Sequence, residues 1–232
     1  MAVNTTKTYN FNPTAGSLML TAFHRCGVRP TELTQAHVAE GQKAGNFLLV
    51  ELSNLQPNLW EVELVSLPLL EGVGVYSLPA EIVMITDMYL TIGESETGND
   101  RYMMPLSRTE YAQLPNKELL GTPSQYWFSR LISPTVSFWT FPDGNGPYIA
   151  RYFGVRQTQD ANLADGRTVE IPYRFLEAYV AGMAWKLSEI FAPALEDKLF
   201  TRYTRALQIA TTQDVENVGM TIAPMIGGYY SR

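Results

Sequence analysis

Cysteine and histidine are scarce in this sequence, which has one Cys and two His among 232 residues. Cys26 has no second cysteine to pair with, so an internal disulfide is excluded. A structural zinc ion normally needs about four ligands, and Cys26, His24 and His37 supply at most three. We therefore expect Cys26 to be a small core residue, and we predict neither a bound metal nor a cofactor.

Charged residues are also few, at 17% of the chain, and their formal net charge is -6. Such a chain has less polar surface than a solitary soluble domain usually carries, which favours a surface covered by partners. Because an acidic protein repels phosphates, the charge balance argues against binding of nucleic acid through a broad basic face.

Long apolar runs are missing as well, and none approaches the length that spans a bilayer. Residues 1–6 lack the basic start and the apolar middle of a signal peptide. We therefore expect a soluble protein that is made in the cytosol.

Motifs of catalysis are not found either. No glycine-rich segment has the Lys-Ser/Thr ending of a phosphate loop, and no serine lies in a Gly-x-Ser-x-Gly sequence. Two carboxylate pairs, Glu61 with Glu63 and Glu94 with Glu96, leave a glycosidase-like acid and base formally open. We expect the first pair on the solvent-exposed face of a strand and the second pair in a solvated loop, where nothing raises the pKa of either carboxyl group. The sequence therefore predicts a protein that is not an enzyme.

Helical spacing of apolar residues recurs in four segments. It predicts helices over residues 13–26 and 34–56, and again over 172–190 and 195–210. Two glycines within the second helix, Gly41 and Gly45, favour the close approach of a neighbouring helix. The last two helices are expected to turn these residues inward: Leu176, Tyr179, Met183, Leu187, Ile190, Leu195, Leu199, Tyr203, Ala206 and Ala210.

Between residues 60 and 153 the apolar period changes to two, which is typical of strands. Residues 82–92 alternate and lead into the polar segment 93–101, which predicts a hairpin. Further strands are predicted at 134–141 and 148–155, and a turn rich in Pro, Gly and Asn joins them.

These patterns predict an α+β fold: a four-helix bundle of two N-terminal and two C-terminal helices, interrupted by an antiparallel β-domain and followed by an extended C-terminal tail. The expected helical domain comprises residues 1–57 and 168–217, and the inserted β-domain comprises residues 58–167. Residues 218–232 are apolar and too short to form a core of their own, so we expect them to dock on another surface.

Aromatic residues are concentrated near the middle of the chain, where Tyr126, Trp127 and Trp139 lie among turn formers. Such rings favour packing in a β-core, since basic residues that would accompany stacking on nucleic acid are few. The alternative is a carbohydrate- or receptor-binding tail module in which surface Trp and Tyr side chains stack on the ligand.

Four segments carry a resemblance to a known family: residues 105–111, 121–130 (Gly-Thr-Pro-Ser-Gln-Tyr-Trp-Phe-Ser-Arg), 139–143 and 171–175. On these segments the chain resembles the head-to-tail adaptor proteins of short-tailed bacteriophages (podoviruses). That group includes tail tubular protein A and packaged-DNA stabilisation proteins. The likeness covers roughly the second half of the chain, and Thr140 stands where relatives tend to have a proline.

The resemblance implies a virion protein at the head-to-tail junction, synthesised in the host cytoplasm. It implies a dodecameric ring of identical subunits that lies between the portal protein and the tail nozzle protein and continues the DNA channel. The implied role is to help retain the packaged genome and to pass it during ejection. Genomic double-stranded DNA would cross the ring without sequence-specific contact.

The site residues expected on this basis fall into three sets. Six tail residues are expected to dock on the portal or on a neighbouring subunit: Met220, Ile222, Met225, Ile226, Tyr229 and Tyr230. Three acidic residues of the predicted hairpin loop are candidates for contact with the nozzle: Glu94, Glu96 and Asp100. Two basic residues of the last helix are candidates for lining the channel: Arg202 and Arg205.

Overall fold

The computed structural model describes residues 11–55, 59–93, 98–162, 166–212 and 214. These residues contain five α-helices: α1 (Ala15–Arg25), α2 (Gln35–Leu55), α3 (Arg108–Gln113), α4 (Leu176–Phe191) and α5 (Glu196–Thr212). They also contain ten β-strands: β1 (Val62–Leu69), β2 (Val75–Ser77), β3 (Ile82–Ile92), β4 (Asn99–Tyr102), β5 (Met104–Pro105), β6 (Leu120–Gly121), β7 (Gln125–Ser129), β8 (Thr135–Trp139), β9 (Phe141–Pro142) and β10 (Tyr148–Arg156). The α+β fold predicted from the sequence is confirmed.

The four helices predicted from apolar spacing correspond to α1, α2, α4 and α5, and their ends follow local chemistry. Thr14 caps α1, because its hydroxyl accepts a hydrogen bond from the backbone N–H of Ser17 at 3.3 Å. Gly27 follows α1 at a φ of 83°, the left-handed conformation in which many helices end. Pro193 starts the short turn between α4 and α5, where it interrupts the helical hydrogen-bond ladder.

Helix α4 lies at the centre of the helical part and contacts α1, α2 and α5. Two glycines of α2 bring neighbouring side chains close to its backbone. A Cβ atom added to Gly41 would lie 2.5 Å from Sδ of Met19 in α1, and one added to Gly45 would lie 2.6 Å from the hydroxyl of Tyr179 in α4. The close helix contacts predicted at these two glycines are therefore confirmed.

The inward stripe predicted for α4 is correct except at its last member. Leu176, Tyr179, Met183 and Leu187 are buried, whereas Ile190 is 59% exposed, so the prediction for Ile190 is wrong. At the end of α4 the next residue, Phe191, packs against the buried cluster, and its ring centroid lies 5.8 Å from that of Phe23, so Phe191 rather than Ile190 continues the buried face.

The strands form two four-stranded sheets, of order β1-β10-β3-β4 and β2-β8-β7-β5, and one two-stranded sheet. The predicted hairpin consists of β3 and β4, in which Ile92 lies opposite Asn99. All pairs in the first sheet are antiparallel. Two short pairs elsewhere, β5 with β7 and β6 with β9, are parallel, so the antiparallel prediction holds for the longer strands.

The helical part and the β part each have their own large cluster of buried side chains. One cluster contains side chains from α1, α2, α4 and α5, and the other fills the space between the two four-stranded sheets, with Phe138 and Tyr152 among its largest members. Their separation supports the proposed domain boundaries at residues 58 and 168, which remain a prediction.

Glu61 lies where the helical part meets the sheets. The sequence pattern predicts that it lies on the wet face of a strand, and this prediction is wrong: Glu61 lies in a short 3-10 turn before β1 and is 2% exposed. Its carboxylate accepts hydrogen bonds from Ser53 of α2, at 3.3 Å, and from Thr158 just after β10. A buried carboxylate is tolerated when it is hydrogen-bonded in this way, so Glu61 joins the two parts of the fold. Glu63, by contrast, keeps a half-exposed side chain.

Candidate interaction surfaces

The two predicted channel-lining residues lie on the exposed side of α5, but they differ in their contacts. Arg205 is exposed, whereas Arg202 binds the carboxylate of Glu177 in α4 through Nη2 at 2.9 Å. Arg25 of α1 binds the other oxygen of the same carboxylate at 2.7 Å. Glu177 thus joins α1, α4 and α5 at the surface. Sequence reasoning missed this cluster, since Arg25 lies far from Glu177 along the chain and only the fold brings them together.

The two arginines lower the pKa of Glu177. Its partial burial acts to raise the pKa, but the hydrogen bonds and charges of Arg25 and Arg202 outweigh burial and hold the pKa below its ordinary value of 4.5. The carboxylate is ionised at neutral pH, and it neutralises part of the positive charge of Arg202.

The predicted nozzle-facing loop is described only at its edge. Asp100 is exposed in β4, opposite Thr91 of β3, and its carboxylate accepts a hydrogen bond of 2.6 Å from the Thr91 hydroxyl. Glu94 and Glu96 lie outside the described residues.

The predicted docking tail also lies outside the described residues, which include Asp214 as the last position. The Asp214 side chain is buried and binds the guanidinium of Arg174, just before α4. That guanidinium also lies over the ring of Trp60, at 5.6 Å from the ring centroid. The start of the C-terminal segment is thus anchored beside the first turn of α4.

The central aromatic residues pack on one another. Tyr126 is buried between the sheets, and burial raises the pKa of its hydroxyl to about 12. Trp127 stacks on Tyr111 of α3 at 4.8 Å between ring centroids, and Nε1 of Trp139 donates a hydrogen bond to the carbonyl of Asn116 at 2.9 Å. The two tryptophans therefore hold the segment around α3 against β7 and β8, which agrees with the expectation that these rings serve packing.

Reactive groups are few among the residues that the structure describes. In that part of the chain no three His, Cys, Asp or Glu side chains come together as a metal site would require. Cys26 is buried and its thiol donates to the carbonyl of Ala184 at 3.1 Å, as expected for a core residue. Burial raises the pKa of the thiol to about 11, so it is protonated at neutral pH and a poor nucleophile. No helix in the described ranges is long and apolar enough to cross a membrane.

A groove beside the N-terminal half of α4 was not predicted. It measures about 530 Å³, and its lining includes Leu18, Thr21 and Arg25 of α1 together with Leu176 and Val180 of α4. The exposed rings of Phe11 and Tyr173 also line it and meet edge to face at 6.1 Å between centroids. Apolar spacing assigns Leu18, Leu176 and Val180 to a core, but it cannot show that a gap remains between them and the solvent.

Exposed apolar side chains mark two further surfaces. Phe47 of α2 and Ile190 of α4 flank one another on the helical part. On the β part, Leu131 and Ile132 form the turn between β7 and β8, and Ile132 is 96% exposed. Both surfaces could bury apolar area against a partner.

In a comparison with models of protein families, residues 26–225 match the family described as SU10 adaptor protein. The matched region covers more than half of the chain and includes α2, the β part, α4 and α5, whereas α1 precedes it. No curated protein matches the chain.

Proposed function

Because the chain belongs to the SU10 adaptor protein family, a family of bacteriophage head-to-tail adaptors, we propose that it forms a ring between the portal and the tail nozzle of the virion. Such a ring continues the DNA channel, helps to retain the packaged genome and passes it during ejection. The observation that carries this proposal is the family match, which extends over both parts of the fold. The protein's role is mechanical, so it needs no catalytic residue, metal or cofactor.

Ring closure requires a heterologous contact, in which one surface of each subunit meets a different surface of the next. In the proposed ring, α2, α4 and α5 lie side by side with the helices of the neighbours. The exposed Phe47 and Ile190 support this arrangement, because they offer apolar area on the helical part. A dodecamer is the proposed number of subunits.

The remaining contacts are assigned by residue character. The apolar tail, from Met220 to Tyr230, docks in extended form on the portal or a neighbour, and it gains main-chain hydrogen bonds and buried rings. The acidic loop of Glu94, Glu96 and Asp100 faces the nozzle, since polar loops at the ends of domains commonly carry recognition.

The wall of the proposed channel binds DNA only weakly. An acidic wall lets DNA slide, and a few basic side chains such as Arg202 and Arg205 steady it during storage. Binding of free duplex DNA by the isolated protein should therefore be weak at physiological salt. Tight binding that weakens steeply as salt rises would contradict this part of the proposal.

The first test is the mass of the purified protein, measured by light scattering, alone and with its candidate portal protein. A complex of ring size, formed alone or on the portal, is the expected result. A protein that stays monomeric and does not bind the portal protein would contradict the adaptor role and favour the carbohydrate- or receptor-binding alternative. Addition of oligosaccharides with a readout of Trp fluorescence would then test that alternative.

Removal of residues 218–232 tests the docking tail separately. We expect the truncated chain to keep the far-ultraviolet circular dichroism of the full chain but to lose co-purification with the portal. A truncated chain that still joins the portal would show that the tail is not the docking element.

A further inference from the structure

The groove between α1 and α4 has the character of a peptide-binding site. Its floor consists of Leu18, Leu176 and Val180, and its volume of about 530 Å³ lies within the range of sites that hold small ligands, roughly 300–1,000 Å³. Phe11 and Tyr173, which line it, are 69% and 73% exposed, so their rings are free to cover an apolar side chain. Exposed apolar walls of this kind are unfavourable in water.

One polar group at the groove has no hydrogen-bond partner among the residues that the structure describes. Arg25, which lines the groove, uses Nη2 to bind Glu177, whereas its Nη1 atom is buried and donates to none of the described groups. Buried donors are normally satisfied, and a charged donor without an acceptor is unfavourable. The backbone carbonyls of an incoming peptide are acceptors of the required kind.

The C-terminal segment of this chain starts at the rim of the same groove. Asp214, the last described residue, binds Arg174, and Arg174 lines the groove. Met220 lies six residues further along the chain, which spans at most about 20 Å when extended. The segment is also chemically suited to the groove, since its large side chains are mainly apolar or aromatic: Val218, Met220, Ile222, Met225, Ile226, Tyr229 and Tyr230.

We propose that residues 215–232 dock in the groove of their own chain before assembly. Apolar side chains of the segment pack against Leu18, Leu176 and Val180. A backbone carbonyl of the segment accepts a hydrogen bond from Nη1 of Arg25. The segment is thereby kept from binding other copies, and it is exchanged onto its assembly partner when that partner offers a better site. Only this last step rests on the proposed function; the docking in the free chain does not.

The test is a disulfide trap in the full chain. Thr21 is exposed and lines the groove, so Thr21→Cys is combined with Tyr230→Cys and the rate of cross-linking is measured under mild oxidation. Buried Cys26 remains in place, and mass spectrometry of peptides identifies the linked pair. We expect the disulfide between residues 21 and 230 to form within one chain. In a mixture of isotopically light and heavy protein, the linked peptides should then be both light or both heavy, and mixed pairs should be absent.

Two matched comparisons separate docking from random collision of a tethered segment. Ile222→Ser with Ile226→Ser should slow the cross-link about tenfold, because these changes remove the apolar burial that the proposed docking provides. Arg25→Met should also slow it, whereas Arg202→Met should not, although both variants lose one ion pair to Glu177. The Arg202 variant thus controls for the loss of that ion pair.

Three outcomes would overturn the proposal. The first is a cross-linking rate that the isoleucine substitutions leave unchanged, and the second is a link that forms only between chains. The third is a link that requires prior removal of residues 1–10, because the groove would then belong to the amino-terminal segment. The free chain is used throughout, so these results do not depend on whether the protein joins a portal.

Discussion

At the scale of single residues, the helical core depends on glycines at which no side chain fits. A Cβ atom added to Gly182 of α4 would lie 2.6 and 2.9 Å from the two methyl groups of Leu48 and 2.9 Å from the ring of Tyr203. Both neighbours are buried, so neither can move away without disturbing the core. The absence of a side chain at this position allows α2 and α5 to approach α4.

Gly182→Ala is therefore expected to destabilise the protein by about 1–3 kcal/mol through overpacking. The control is Gly16→Ala in α1, where an added Cβ meets no described atom within 4 Å. That change should be neutral or stabilise by a few tenths of a kcal/mol up to about 1 kcal/mol, because alanine favours a helix more than glycine does. Urea denaturation of the two variants measures the difference, and equal effects would contradict the packing argument.

Glu170 gives a prediction about pH. Burial acts to raise its pKa, but hydrogen bonds from Arg156 and from the backbone N–H of Gln159 outweigh burial and hold the pKa below 4.5. A carboxylate with a lowered pKa in the folded state contributes stability above its unfolded pKa, near 4.5, and that stability is lost as pH falls through the folded value.

Glu170→Gln should accordingly lower the free energy of unfolding by about 1 kcal/mol at pH 7, and the difference from the unmodified protein should shrink below pH 4.5. Glu118→Gln, at an exposed position, is the control and should have little effect at either pH. The free energies come from urea denaturation across the pH range. A difference for Glu170→Gln that grows on acidification would mean that ionised Glu170 does not stabilise the fold.

At the scale of elements, α3 shows how a short helix can be held without a buried face. None of its six residues is buried, but Ser107 accepts a hydrogen bond from the backbone N–H of Glu110, and the Glu110 carboxylate accepts one from the backbone N–H of Ser107. This reciprocal pair is a capping box. The stack of Tyr111 on Trp127 then attaches the helix to β7.

Ser107→Ala should loosen α3 locally, since loss of an N-cap hydrogen bond costs about 1 kcal/mol. Amide hydrogen exchange within residues 108–113 should become about fivefold faster, while exchange in α4 stays unchanged. Thr109→Ala, an exposed position inside α3, keeps the cap and is the matched control. Equal acceleration in both variants would show that the capping box does not stabilise α3.

At the scale of the whole molecule, the two parts of the fold offer different surfaces for assembly. On the helical part, the exposed side chains of Phe47 and Ile190 line one cleft, and the β part has the apolar turn at Ile132. In the proposed ring, the helical surface meets a neighbouring subunit.

Substitution of both Phe47→Asn and Ile190→Asn is expected to raise the protein concentration needed for ring formation by about tenfold or more, because apolar burial at the contact is lost. Both side chains are exposed, so the unfolding temperature should change little. Ile132→Asn removes an equally exposed apolar side chain from the β part and should leave ring formation intact. Light scattering over a concentration series measures all three proteins, and a double variant that assembles normally would exclude this surface from the ring contact.

The order and type of the long elements follow from the sequence alone. The apolar period of 3.6 marks α1, α2, α4 and α5, and the period of two marks β3 and β10, because these periods follow directly from backbone geometry. The glycines of α2 predicted close helix contacts for a similarly local reason. The short helix α3 was missed, although Ser107 and Glu110 have the spacing of a capping box, since a helix without an apolar face leaves no periodic signal.

Which of these faces are covered depends on the tertiary fold. Glu61 is accommodated in a buried position because Ser53 and Thr158, distant from each other in sequence, converge on its carboxylate. Ile190 is exposed because Phe191, the next residue of α4, packs on the helical core instead. The groove beside Arg25 likewise requires α1 and α4 to be placed together. A periodic pattern states which side chains share a face, but contacts between elements far apart along the chain determine what that face meets.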